Sequence, residues 1–182
     1  MRDKFSAAPA VSIDDIKLDI INFRYYGQLQ TQRECIDVML NDKYSYIYNL
    51  ARDIAENGLT PDPIILSKDE DNQWVVREGN RRITALKLLN KPSIIKDPLL
   101  RKKFSEISKK NKNNIMSSVD CLSCDDEACI LDYLDRVHTG VRNGTGRKPW
   151  EPSNQTHYDM HMGRPGANAL AMKVKKWFPM KE

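Results

Sequence analysis

The chain has 182 residues, 30% charged and 40% hydrophobic, the balance of a globular domain with a proper core rather than of a disordered or fibrous chain. Its 29 Lys and Arg against 25 Asp and Glu leave a net charge of +4, a mild basic excess that permits contact with nucleic acid without requiring it. No apolar run approaches the roughly 20 residues needed to cross a bilayer, Met1–Phe5 carries no apolar signal segment, and the four cysteines are expected as reduced thiols. A cytoplasmic protein without a membrane partner is therefore predicted.

In chain order, residues 1–10 read as a flexible tail. Val11–Leu18 alternates apolar and polar residues and predicts an extended segment. Thr31-Gln32-Arg33-Glu34 is a capping box that opens a helix to about Leu40. Asn41-Asp42 then caps a second helix, with Tyr44, Ile47, Ala51, Ile54 and Ala55 on one face and Glu56-Asn57-Gly58 at its close. Pro63–Leu66 and Gln73–Val76 read as neighbouring strands across the polar loop Lys68–Asn72. Asn80–Leu89 reads as a helix with Ile83, Leu86 and Leu89 inward, stopped by Asn90-Lys91-Pro92.

Asp97-Pro98 starts a charged helix to about Lys110, with Leu100, Phe104 and Ile107 as its apolar stripe. Ile115–Leu122 predicts a returning strand, and Ser123–Asp126 opens a further helix ending near Val137. A basic, glycine-rich loop follows, from His138 to Trp150. The last residues hold one or two helices, with Leu170, Val174 and Trp177 on the final one. The expected fold is an α/β domain over residues 11–150, with a small mixed sheet and flanking helices, followed by a helical C-terminal extension over 151–182.

The most informative stretch is Trp74-Val75-Val76-Arg77-Glu78-Gly79-Asn80-Arg81-Arg82. It reads as a strand, a tight glycine turn and a helix N-terminus carrying two arginines. Backbone N–H groups point out of such a turn, and the helix dipole adds partial positive charge. Gly79 lets a ligand approach the backbone closely. Arg81 and Arg82 are planar donors suited to phosphate oxygens. An anion site is one reading, with phosphate the favoured anion. The other is a plain strand-to-helix connection whose arginines pair with carboxylates.

The helix end Glu56-Asn57-Gly58, the proline-led strand after Pro61-Asp62-Pro63, the Gly79-Asn80-Arg81-Arg82 turn and Ala85 six residues beyond its glycine together resemble the ParB/sulfiredoxin superfamily over roughly residues 11–92. Asn80 stands where ParB proteins usually carry Glu, and Asp62 is an extra residue between the prolines. The resemblance implies a compact α/β fold in which both motifs converge on one nucleotide pocket. Asn57, Gly58, Gly79, Asn80, Arg81 and Arg82 would then bind a nucleoside triphosphate, with Glu56 and Glu78 in the catalytic positions. Glu78 would hold a magnesium ion, since hard cations prefer carboxylate oxygen. A salt bridge from Glu78 to Arg81 or Arg52 is the alternative. The family's third nucleotide motif falls near Arg136, His138 and Gly140, although its usual wording is absent there. Sulfiredoxin repair chemistry is excluded, because position 80 is Asn and not the nucleophilic Cys.

The loop after Val137 has a physical case of its own. Glycines interleaved with Arg142, Arg147 and Lys148 suit phosphate or DNA-backbone contact, or form only a flexible basic surface loop, and Trp150 is either a core residue or a base-stacking one. Cys121, Cys124 and Cys129 lack a fourth ligand and a second pair, so buried thiols are expected rather than zinc. His157 and His161 have helical spacing but no accompanying Glu, and read as surface or capping residues. The resulting expectation is a nucleotide-binding protein of CTP or ATP type, associated with DNA and capable of slow hydrolysis. A metal-dependent nuclease using Glu56 and Glu78, with Asp62 a further candidate, is the competing class. A non-catalytic DNA-binding or adaptor module is the third. No helix-turn-helix pattern is evident after residue 92, and no heptad marks a dimerisation tail.

Overall fold

A computed structural model describes residues 4–21, 29–42, 46–141, 145–164 and 166. The chain divides into two compact units, 1–131 and 132–182. The first unit holds a five-stranded mixed sheet in the order β1-β5-β3-β4-β2. The strands are β1 (Ser6–Ser12), β2 (Ile16–Leu18), β3 (Ile65–Lys68), β4 (Trp74–Glu78) and β5 (Ser118–Ser123). β3 and β4 form an antiparallel hairpin, β2 lies parallel to β4, and β5 lies parallel to β3 and antiparallel to β1. Ser6–Ala10 are strand residues rather than a loose tail. Pairing with β5, from Ser6 opposite Ser123 to Ser12 opposite Ser118, holds them in place despite low β-propensity.

The helices follow their caps. Thr31 forms the expected capping box with Glu34 at the start of α1 (Gln32–Asn41). Asp42 closes that helix, so the second helix is not capped from Asn41-Asp42. Instead α2 (Ile47–Asn57) starts from Tyr46, whose φ is +49°. Tyr44 lies outside the described residues. α3 (Asn80–Asn90) is buried on nearly every side, with Ile83, Ala85, Leu86, Leu88 and Leu89 wholly inaccessible. Asp97 caps α4 (Pro98–Lys110) by accepting from the N–H groups of Leu99 and Leu100.

Period-two alternation gives the sheet two faces. Leu18, Leu66 and Val76 join the main core with Ile54, Ile83, Leu86 and Phe104. Lys17, Val75 and Arg77, at the alternate positions, point the other way. There Arg77 donates both terminal nitrogens to the Glu127 carboxylate at 2.6 and 2.7 Å. Glu127 is in the first turn of α5 (Glu127–His138), within which the division between the two units falls.

The second unit, taken by itself, contains the end of α5, a turn at Gly140 with φ +91°, and α6 (Pro152–His161). Trp150 is 57% exposed and so not a core residue. Leu170, Val174 and Trp177 lie outside the described residues. Among the described residues, no helix is long and apolar enough to cross a membrane.

Candidate functional site

Gly79 joins β4 to α3 with φ +98°, a left-handed conformation costly for any residue with a Cβ. A Cβ there would stand 3.1 Å from Ile64 Cγ1 and 3.2 Å from a terminal nitrogen of Arg82. As the residue preceding α3, Gly79 offers no capping side chain, and the first helical bond runs from the Ile83 N–H to the Gly79 carbonyl at 2.9 Å. α3 therefore begins without a side-chain cap, and its N-terminal end carries the positive pole of its dipole.

The side chains around the turn divide their work. Asn80 is buried. Its amide nitrogen donates to the Val76 carbonyl at 3.0 Å, and its oxygen accepts from the Asp19 N–H at 3.1 Å, so it ties the ends of the parallel strands β2 and β4 together. Arg82 folds back and donates to the Asp62 carbonyl and, at 2.9 Å, to the Pro63 carbonyl. It also lies 3.4 Å from Glu78, with side-chain exposures of 12% and 19%. Arg82 thus holds the Asp62–Ile64 segment against the turn. Arg81 is half-buried beside it.

Glu56, Asn57 and Gly58 sit at the end of α2. Gly58 terminates the helix with φ +84°, its N–H donating to the Ile54 carbonyl at 2.9 Å. Asn57 donates to Asp53 at 2.8 Å, and Glu56 is exposed. The neighbouring Ala55 carbonyl accepts from Asn114, at 3.5 Å, in the loop between α4 and β5. Asn90, at the far end of α3 from Gly79, holds Met116 of that same loop at 2.9 Å. Among the described residues, the side-chain bond at the α2 end runs back to Asp53 and not to the Gly79 turn. The structure brings Asp62, Pro63, Glu78, Gly79 and Arg82 together, and the bonds of the α2 end run elsewhere.

Among the described residues no group of three or more His, Cys, Asp and Glu side chains is placed to hold a metal ion. Cys35, Cys121, Cys124 and Cys129 are buried thiols outside any disulfide. Burial pushes the Cys35 and Cys121 thiols up to about 11.

The third expected motif lies in the second unit. Arg136 pairs with Asp132 one turn earlier at 3.1 Å. His138 ends α5, and Gly140 turns the chain. Gly146 packs onto Gly140 so closely that a Cβ there would lie 1.8 Å from the Gly140 carbonyl oxygen. Gly146 thus serves close backbone approach within the loop, and Gly140 the positive φ of the turn. Arg147 and Lys148 are exposed beyond it, and Arg142 lies outside the described residues.

Asp19 is a neighbour of the turn that sequence reasoning missed. It follows β2, its N–H binds Asn80, and its carboxylate lies 3.5 Å from Arg77 Nε. Burial holds its carboxyl above the usual aspartate range, while the Ile21 N–H and Arg77 pull it down. The two residues line a cleft of about 390 Å³ with Lys17, Gln32 and Lys68. Only the strand register brings Asp19 beside Asn80, and no local motif marks it.

No family model and no curated protein matches the sequence. Among solved structures, the fold is similar to that of the C-terminally truncated chromosome-partitioning protein ParB from Caulobacter crescentus complexed with CTP-gamma-S. The two share 13% identity over 92% of this chain and 68% of that one, with a TM-score of 0.43.

Proposed function

We propose that the Gly79 turn binds the phosphates of a nucleoside triphosphate, and that the protein is a nucleotide-dependent, DNA-associated module with slow hydrolysis at most. The observation that carries this reading is the uncapped α3 end, opening from a left-handed glycine and held rigid by Arg82 on the Asp62 and Pro63 carbonyls. Rigid first-turn N–H groups in a positive dipole field suit phosphate oxygens. The sequence resemblance to ParB-like turns supports the same assignment. In this reading the backbone of residues 80–82 and the Arg81 side chain meet the phosphates, while Asn80 and Arg82 build the turn.

Glu78 is the proposed magnesium contact, being the carboxylate of the turn itself. Glu56 and Asn57 are secondary members of the proposal, and in the second unit Arg142, Arg147 and Lys148 are its DNA contacts. Calorimetry with a panel of nucleoside triphosphates, with and without magnesium, tests the reading. Saturable binding that Arg81→Ala weakens is expected. No binding of any triphosphate by the wild-type protein refutes it. Plasmid nicking with magnesium or manganese that Glu56→Gln or Glu78→Gln abolishes would replace it with a nuclease.

A further inference from the structure

The net charge of the chain is confined to its second unit. Residues 1–131 contain twenty Lys and Arg against twenty Asp and Glu, whereas residues 132–182 contain nine against five. The whole excess of +4 therefore belongs to the later residues.

That excess falls on Arg142, Lys173, Lys175, Lys176 and Lys181 against Glu182, outside the described residues; the described ones present open aromatic surface. Trp150 and Tyr158 are 57% and 38% exposed and meet edge to face, with ring centres 5.1 Å apart and planes at 69°. The local chain explains why they meet. Pro152 starts α6, and Tyr158 lies two turns along it. After the helix, Gly163 adopts φ +68° and reverses the chain. The Arg164 N–H then donates to the Asp159 carbonyl at 2.7 Å, and the Arg164 guanidinium carbon lies 5.9 Å from the Tyr158 ring centre. Earlier in the chain, Lys148 precedes Trp150 by two residues, with 65% of its side chain exposed and Glu151 3.7 Å away.

Flat, exposed rings flanked by cations match one class of ligand well. An unpaired base stacks on an aromatic face while neighbouring phosphates meet Lys or Arg, and every base has such a face. A duplex hides those faces in its own stack. An acidic peptide offers the charge but not the ring.

We propose that the Trp150–Tyr158 surface takes unpaired bases of single-stranded nucleic acid, with Lys148 and Arg164 meeting the flanking phosphates. This rests on the DNA-associated part of the reading above, and is independent of the Gly79 turn.

The test is fluorescence anisotropy of the full chain with a labelled 15-nucleotide thymidine strand, the same length of abasic strand and a duplex of matched charge. The thymidine strand should bind on the order of tenfold more tightly than the abasic strand, whose backbone charge is the same. Trp150→Ala should remove that advantage, leave duplex binding within about twofold, and be largely rescued by Trp150→Phe, since a ring restores stacking. Equal binding of thymidine and abasic strands by the wild-type protein overturns the proposal whatever the variants do, and leaves salt-dependent duplex contact standing. Competition by polyglutamate as effective as by the thymidine strand also overturns it. Failure to bind any of the three nucleic acids removes the DNA-associated reading as well.

Discussion

The side-chain oxygen of Asn80 accepts the backbone N–H of Asp19 at 3.1 Å, across 61 residues of sequence. With the amide nitrogen on Val76, this fixes where β2 ends relative to the start of α3. Asn80→Ala leaves the buried Asp19 N–H without its acceptor, and should cost about 1–3 kcal/mol. Urea unfolding checks this. A midpoint unchanged from wild type would show that the bond does not set the register.

Gly79→Ala should destabilise by at least about 1–2 kcal/mol, from the left-handed φ alone. The contact of its Cβ with Ile64 at 3.1 Å adds to that. At Gly58 nothing lies within 4 Å of a Cβ, but φ +84° with ψ −175° is backbone essentially reserved for glycine, so Ala there should cost at least as much. Thermal melts of the two variants check both losses, and a Gly79→Ala midpoint unchanged from wild type would count against the close packing of the turn.

Arg81 and Arg82 should separate cleanly. Arg82→Ala frees the Asp62–Ile64 segment and should lower the melting temperature by several degrees, at about 2–4 °C per kcal/mol for a chain of this size. Arg81→Ala should weaken triphosphate binding by about 1.5–3 kcal/mol, the value of a hydrogen bond to a charged group. Melting and calorimetry on both variants decide the matter. A reversed pattern would move the phosphate contact to Arg82.

Asp19 should make stability fall as pH rises. Burial raises its carboxyl above the ordinary aspartate value, so the folded protein holds its proton more tightly than the unfolded chain. The stability this contributes is present below the unfolded pKa of about 3.9 and is lost as pH rises through the folded value. Asp19→Asn removes that dependence. Relative to wild type, the variant should gain stability from about pH 4 upward. A difference that stays flat over that range would show that Arg77 fully offsets the burial.

Short-range chemistry was readable in the sequence, and register was not. The capping box at Thr31, the Asp97-Pro98 helix start and the hairpin around Lys68–Asn72 depend on neighbours within a few residues. Ser6–Ala10 gave no such signal, because Pro9 and small residues make a weak strand that only pairing with β5 stabilises. At the turn, the glycine and the helix following it were legible, whereas the left-handed backbone of Gly79 was not. That Arg82 would turn back to carbonyls near residue 63, and that Asn80 would be buried, depended on where β2 and β3 lie. Trp150 was ambiguous because an aromatic side chain favours a core or an interface by the same apolar area.

The Gln32 carboxamide donates to the Leu18 carbonyl at 2.8 Å and accepts the Leu18 N–H at 2.6 Å, as a peptide group of an adjoining strand would. At the opposite margin, Pro9 lacks a donor, and Ala10, at φ +53°, gives its N–H to Asp120. Each margin of the sheet is thus interrupted at a peptide position that an incoming strand would need. Two molecules meeting edge to edge find no continuous ladder to extend, which protects a chain with short exposed strands from fibrillar self-association.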